Sequence, residues 1–157
     1  MNDLAPVSAR KPIEMLATFS LNGVAYGLNS LLLKEVIRLQ RYTPVHRADP
    51  FIVGIINLRG KIVTVIDLAG RLGIHRIEEA DNRPILIVPY EQEHIGLLVD
   101  AMDDVVHIHE DQVQPIPSNI DRKLAVYMQG VIRVGERLVT ILNPHAILAD
   151  EAEQSSD

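Results

Sequence analysis

Three observations predict an all-β fold in which two similar five-stranded units each close into a small barrel. The chain has 52 Ile, Val and Leu residues among 157, and the β-branched share of them favours strands. Its apolar runs are short and are separated by turn signals. An internal repeat indicates that one five-stranded unit occurs twice, and short twisted strands with one apolar face tend to close into a barrel.

The repeat is clearest in the second part of each unit. Residues 54–72 align without a gap with residues 130–148; five of the 19 positions are identical and five more exchange Ile, Val and Leu. A second alignment places Gly27 on Gly96. The order of elements is the same in both halves, so we expect a duplicated fold with a groove between its two barrels.

The repeat predicts a first barrel at 13–76 and a second at 77–149. Each is too small to bury much apolar surface alone, so we expect a shared core. Residues 1–12 and 150–157 are polar and without apolar periodicity. They are expected to be disordered arms, the second one acidic.

Turn signals define the elements of the first half. Asn22-Gly23 predicts a type I′ hairpin, which needs two residues with positive φ, between strands at 13–21 and 24–28. A short helix at 68–72 is expected to end at Gly73. The other strands expected in this half are 35–41, 53–58 and 61–67.

The second half repeats this order. A last helical turn is expected at 144–148, with Asn143 as its N-cap and proline as its first residue. The long loop at 111–124 contains Pro115 and Pro117, and long loops within compact domains are often functional. The strands expected in this half are 85–88, 95–100, 104–109, 130–134 and 137–142.

Composition excludes several classes of function. The net charge is −6, and the chain has no Trp and few aromatic residues, which disfavours a nucleic-acid binder. There is no Cys, which excludes disulfides, thiolate nucleophiles and Cys-ligated metals. No apolar run approaches the ~20 residues of a membrane span. The sequence therefore predicts a cytoplasmic protein without membrane insertion.

The sequence gives no positive support for an enzyme or for a cofactor. Nucleophile motifs and phosphate-binding glycine patterns are absent. One alternative is a metal site, because His107 and His109 would share one face of a strand, with an oxygen ligand from Asp103, Glu110 or Asp111. The other interpretation of these histidines is that they are exposed on the strand.

Arg59 and Glu35 are the candidate functional residues that the repeat itself identifies. Arg59 stands at a hairpin tip where the second half has Gly135. If that position has positive φ, arginine is less favourable there than glycine, and such departures tend to mark function. Glu35 follows an apolar triplet and is a possible partner for Arg59. The alternatives are a solvated turn and a solvated glutamate.

The stretch Phe51–Leu68 resembles the signature of CheW-type chemotaxis coupling proteins, roughly G-x-x-N-L-R-G-x-x-x-P-V-x-D-L. Thr64 stands where the signature has proline. The resemblance extends over about 13–149. The matching residues are Gly54, Asn57, Leu58, Arg59, Gly60, Val65, Asp67 and Leu68.

This resemblance implies SH3-like barrels and a non-enzymatic adaptor. Such proteins bridge the cytoplasmic tip of methyl-accepting chemoreceptors and the regulatory domain of the histidine kinase CheA. They are peripheral to the inner membrane through receptor arrays and are expected to be monomeric when free. Flagellar, pilus-motility and second-messenger pathways all remain possible.

The resemblance also implies two sets of binding residues. Glu35 and Arg59 match the family's characteristic acid–base pair beside the receptor groove. The full receptor-facing set is Ser30, Leu33, Glu35, Gly54, Arg59, Ile85 and Gly96. The kinase-facing set is Arg41, Tyr42, Thr43, Val45 and His46.

Overall fold

The structure, a computed structural model, describes residues 13–46, 48–74 and 82–149. The arms expected at 1–12 and 150–157 lie outside these residues. Residues 144–149 form a short helix, α3. The other elements are β1 (Ile13–Leu21), β2 (Val24–Asn29), β3 (Glu35–Arg38), β4 (Ile52–Leu58), β5 (Lys61–Asp67), α1 (Leu68–Arg71), β6 (Pro84–Tyr90), β7 (Glu93–Leu98), β8 (Ala101–His109), α2 (Arg122–Ala125), β9 (Met128–Val134) and β10 (Arg137–Leu142).

The strands form two five-stranded curled sheets, which confirms the all-β prediction. Sheet A has the order β8-β1-β2-β10-β9, and sheet B has the order β3-β6-β7-β5-β4. The sheets do not follow the expected division between residues 76 and 77. The first hairpin of each half, β1–β2 or β6–β7, joins the last three strands of the other half, so the two halves exchange hairpins.

The exchange preserves the repeat. Replacing each strand of sheet A by its counterpart five strands away in the chain reproduces the order of sheet B. The two sheets use equivalent parallel pairings to accept the exchanged hairpin, β10 with β2 and β5 with β7. The repeat alignment predicted the elements correctly but could not predict this pairing, because both pairings bury the same apolar faces.

Three apolar clusters stabilise the two sheets. One lies inside the barrel of sheet B and one inside the barrel of sheet A. The third and largest lies between the barrels and takes buried residues from both sheets, such as Phe19 of β1 and Leu97 of β7. The prediction of a shared core is therefore confirmed.

Left-handed backbone occurs at the hairpin turns that the sequence marked. Asn22 and Gly23 have φ values of 53° and 84°, as a type I′ turn requires. Arg59 has a φ of 51° and precedes Gly60 at 88°. Gly135, which occupies the position of Arg59 in the second half, has a φ of 62°. Arg59 thus adopts a conformation that its counterpart reaches with glycine.

Several element boundaries differ from the prediction. The third strand ends at Arg38 rather than residue 41, because the chain turns inward there and buries Leu39. Strand β6 includes both Pro84 and Pro89. The loop at 111–124 contains part of a 3-10 turn and the start of α2. The predicted N-cap of α3 is confirmed, since the Asn143 side chain accepts a hydrogen bond from the backbone N–H of residue 145 at 3.0 Å.

In the described parts of the chain, no helix is long and apolar enough to cross a membrane.

Two equivalent glycines allow the segments outside the strands to pack against the sheets. A Cβ on Gly54 would lie 2.4 Å from the carbonyl oxygen of Thr43, and one on Gly130 would lie 2.8 Å from that of Gln114. Both carbonyls belong to segments that form isolated antiparallel bridges beside these glycines. The close approach explains why the repeat retains glycine at both positions.

We predict that Gly54→Ala lowers the free energy of unfolding by about 3 kcal/mol, because the methyl group meets a backbone carbonyl that cannot move independently. Gly23→Ala is the control: its φ is also positive, but nothing lies within 4 Å of the added Cβ. This variant should lose only about 1 kcal/mol. Urea denaturation measures both losses, and equal losses would show that the segment at Thr43 shifts freely.

Candidate functional site

Arg59 and Glu35 form an ion pair at the mouth of the sheet B barrel. The Arg59 guanidinium donates two hydrogen bonds to the Glu35 carboxylate, one of them 3.2 Å from Nη1 to Oε1. Glu35 begins β3 and Arg59 lies in the β4–β5 turn, at opposite edges of the sheet order. The curl of the sheet brings the two edges together, so the pair closes the barrel at this point.

The pair is exposed, which limits what it contributes to stability. The Arg59 side chain is 69% exposed and the Glu35 side chain 33%. The hydrogen bond from Arg59 lowers the pKa of Glu35, and the same contact raises the pKa of Arg59. Because the lowered pKa keeps the Glu35 carboxylate ionised through the pH range in which an ordinary glutamate becomes protonated, the charged contact is lost only below that range. Exposed ion pairs stabilise folds little, so this pair is better suited to recognition.

A cavity of about 390 Å³ lies beside the ion pair. Its base is apolar, with Leu58, Val63 and Ile87, and its rim is mainly basic. Lys34 and Lys61 add positive charge to that of Arg59, while Glu35 is the acidic residue of the lining. The site therefore combines an apolar floor with an excess of cationic groups, which suits an apolar surface that carries carboxylates. The lining residues are Lys34, Glu35, Leu58, Arg59, Lys61, Val63, Ile87 and His94.

The other residues of the receptor-facing set are dispersed. Ile85 has no exposed surface and lies inside the sheet B barrel. Gly96 is buried against Ile85, and Gly54 is buried beneath Thr43. The expectation that these three residues face a partner is therefore corrected, because each faces the interior or a neighbouring segment of this chain.

The apolar triplet before Glu35 is exposed at its first residue. Leu33 packs partly against the core between the barrels, and Ser30 is half-buried in the 3-10 turn that precedes β3. Leu31 is 86% exposed, the highest value among the large apolar residues of the described chain that are exposed. Sequence reasoning chose Leu33 and missed Leu31, because the 3-10 turn decides which leucine points outward.

A groove of about 210 Å³, separate from the cavity beside the ion pair, lies between the two barrels. One wall is the end of β6 with the turn after it, and the other is α3, including His145 and Leu148. Leu32 lies beside both walls. The prediction of a groove between the barrels is confirmed, although the sequence did not indicate its lining residues. These are Leu32, Val88, Pro89, Tyr90, Glu91, Pro144, His145 and Leu148.

The kinase-facing set lies together on another side of the sheet B barrel. The segment from residue 40 to residue 46 is exposed and runs along β4. Two backbone hydrogen bonds of 2.8 Å between Thr43 and Ile55 attach it to that strand. Tyr42 and Val45 are each 44% exposed. This surface borders a shallow cavity of about 540 Å³ lined in part by Arg41, Tyr42 and Thr43.

The second half has a weaker version of the ion pair. Arg137, the repeat counterpart of Lys61, lies 3.5 Å from a carboxylate oxygen of Asp103 on β8. Glycine at position 135 leaves the turn itself without a cation. The two barrels are thus alike in backbone and different in the chemistry of their rims.

His107 and His109 are both exposed on β8, at alternate positions of one face. Within 13–46, 48–74 and 82–149, no three His, Asp or Glu side chains are grouped so that they could hold a metal ion.

Comparison with known proteins identifies the family. The model of the CheW-like domain matches residues 16–152. The chain is 32% identical over 143 residues to "Chemotaxis protein CheW" of Bacillus subtilis (strain 168), which covers 91% of this chain and 92% of that protein. It is also 24% identical over 148 residues to "Protein PilI" of Pseudomonas aeruginosa, covering 90% of this chain and 83% of that protein.

A solved structure agrees with this result. The "Crystal structure of scaffolding protein TtCheW from Thermoanaerobacter tengcongensis" superposes with a TM-score of 0.78 and 32% sequence identity, over 87% of this chain and 92% of that chain. The family match, the sequence identity and the paired five-stranded sheets all extend over most of the chain. On this evidence the chain belongs to the CheW-like domain family.

Proposed function

We propose that this protein is a non-enzymatic chemotaxis scaffold that couples methyl-accepting chemoreceptors to a CheA-type histidine kinase. The observation that carries the proposal is the Arg59–Glu35 pair, held on a strained turn within the stretch that matches the family. An unfavourable turn residue and an exposed ion pair contribute little to folding. Both are understandable if the pair has a binding role.

The receptor is proposed to contact the rim of the Arg59–Glu35 cavity and the neighbouring exposed leucine. A receptor tip is a helical hairpin, and an amphipathic helix binds by placing its apolar face in a groove. Leu31 supplies exposed apolar area. Lys34, Arg59 and Lys61 supply cations that would set the register of a helix bearing carboxylates.

The kinase is proposed to contact the segment from residue 40 to residue 46. This segment is exposed, is attached to β4 by backbone hydrogen bonds and carries Tyr42 and Val45 on its surface. A rigid edge with one aromatic and one aliphatic residue suits a modest barrel-to-barrel interface. Such contacts are individually weak, and a multivalent array stabilises them collectively.

The proposed setting is the cytoplasmic side of the inner membrane, where receptor arrays hold the adaptor as a peripheral component. We propose that the free protein is a monomer. The alternative is an adaptor of a non-flagellar chemosensory pathway, such as pilus motility or second-messenger control. The similarity to "Protein PilI" favours keeping this alternative, which changes the client receptors and kinase but not the binding surfaces.

Arg59→Ala should leave the fold intact and uncouple the kinase from receptors, because it removes the cation at the receptor surface and leaves Glu35 without its partner. Arg59→Gly is the matched variant, since Gly135 shows that glycine fits this turn. We expect both variants to bind the regulatory domain of the kinase normally and to melt no lower than the wild type. Receptor-dependent kinase activity in reconstituted arrays measures coupling.

Arg137→Ala, in the corresponding pair of the second half, is the control for this experiment and should retain coupling. Full coupling by both Arg59 variants would show that the ion pair is not part of the surface that binds the receptor. A large loss of melting temperature in Arg59→Gly would show instead that the arginine stabilises the barrel.

Leu31→Asp should weaken receptor binding and leave kinase binding unchanged, because it places a charge on the highly exposed apolar side chain of the 3-10 turn that precedes Lys34 and Glu35. Val126→Asp is a control of similar chemistry, 58% exposed just after α2. Pull-down with a receptor signalling fragment measures the effect. Equal weakening by the two variants would contradict the proposed location.

Val45→Asp should reduce affinity for the kinase regulatory domain and spare receptor binding. Val24→Asp provides the control, because Val24 is 50% exposed against 44% for Val45 but lies in the β1–β2 hairpin. Titration calorimetry with the isolated regulatory domain gives both affinities. Unchanged affinity in Val45→Asp would assign the kinase to another face.

A further inference from the structure

Arg71 is a buried cation that neither proposed binding surface contains. It is the last residue of α1 and is 7% exposed. Its side chain lies within the core between the two barrels, where buried charges are uncommon and are normally held by several contacts. The contacts of Arg71 connect elements that belong to opposite barrels.

Two aromatic rings enclose the Arg71 guanidinium. Its central carbon lies 5.2 Å from the centre of the Phe51 ring and 4.9 Å from that of the Tyr127 ring. These residues are counterparts in the repeat, related by the same offset as Gly54 and Gly130. Their carbonyls also accept equivalent hydrogen bonds of 2.7 Å, from the backbone N–H of Asp67 and of Asn143. The guanidinium therefore lies at the pseudo-twofold axis that relates the two halves.

The hydrogen bonds of Arg71 cross this axis. Nη1 donates to the Tyr127 hydroxyl at 2.6 Å, and Nε donates to the carbonyl of Ile147 at 3.2 Å. Ile147 is the repeat counterpart of Arg71 itself. Two arginines at these positions would bring like charges together at the axis, whereas one arginine and one isoleucine allow a directional contact from α1 to α3.

This contact acts on a wall of the groove between the barrels. Ile147 belongs to α3, whose residues Pro144, His145 and Leu148 form one wall. The opposite wall is provided by β6 of sheet B and its following turn. Holding the carbonyl of residue 147 therefore holds α3 at a defined distance from β6.

We infer that Arg71 is a positioning residue that sets the width of the groove between the barrels. A buried ion pair or cation often adds less to stability than an apolar replacement of the same volume, but it can define one arrangement of the elements around it. The apolar contacts of α3 are less directional than the two hydrogen bonds.

Spin-label distances across the groove test this role without any partner. The chain has no cysteine, so Pro89→Cys and His145→Cys introduce the only two labelling sites. Both residues line the groove, on opposite walls. We expect one narrow distance distribution by double electron–electron resonance in the otherwise wild-type protein. With Arg71→Met, which retains a long apolar side chain, the distribution should broaden or shift.

Three controls separate positioning from general loss of structure. Labels at Val24 and Val105, both exposed on sheet A, should give the same distance with and without Arg71→Met. Tyr127→Phe removes one hydroxyl and retains the ring, so it should broaden the groove distance less than Arg71→Met. Urea denaturation of the labelled variants verifies that they are folded.

An unchanged groove distance in a folded Arg71→Met protein would overturn the inference. If the variant does not fold, Tyr127→Phe decides, and an unchanged distance there has the same consequence. The distance measurement requires no receptor, so its outcome is independent of the proposed function.

Discussion

The exchange of hairpins between the two halves is the constraint on which the rest of the structure depends. Each sheet is completed only when β2 pairs in parallel with β10, or β7 with β5. These pairings hold the apolar outer faces of both sheets against each other and create the large core between the barrels. Neither half can bury its strands without the other, so the groove and both barrel rims form in a single folding unit.

Duplication followed by local divergence explains how one backbone presents different surfaces. The β4–β5 turn has Arg59 where the β9–β10 turn has Gly135, and both positions adopt left-handed backbone. At the pseudo-twofold axis, Arg71 faces its own counterpart, Ile147. In each case the shared backbone supplies the position, and a single substitution in one half supplies a charge. The functional candidates are therefore the places where the repeat is broken.

The two arginines illustrate how burial changes what a charge does. Arg59 is largely solvated, so its ion pair with Glu35 contributes little to the stability of the fold and remains available to a partner. Arg71 is enclosed by two rings and by hydrogen bonds, so its contacts are directional and inaccessible. Solvent exposure makes the first a candidate for recognition, and enclosure makes the second a candidate for positioning.

Local chemistry let the sequence by itself determine the order of the strands along the chain, the Asn22-Gly23 turn, the Asn143 cap and the hairpin turn at Arg59-Gly60. These features depend on a few neighbouring residues and on the repeat, which requires no knowledge of pairing. The tertiary structure alone decided which hairpin joins which sheet, and it showed that Ile85 and Gly96 are buried. It also decided the exposure of Leu31 and the place of Arg71, because both depend on closure between segments that are distant in the chain.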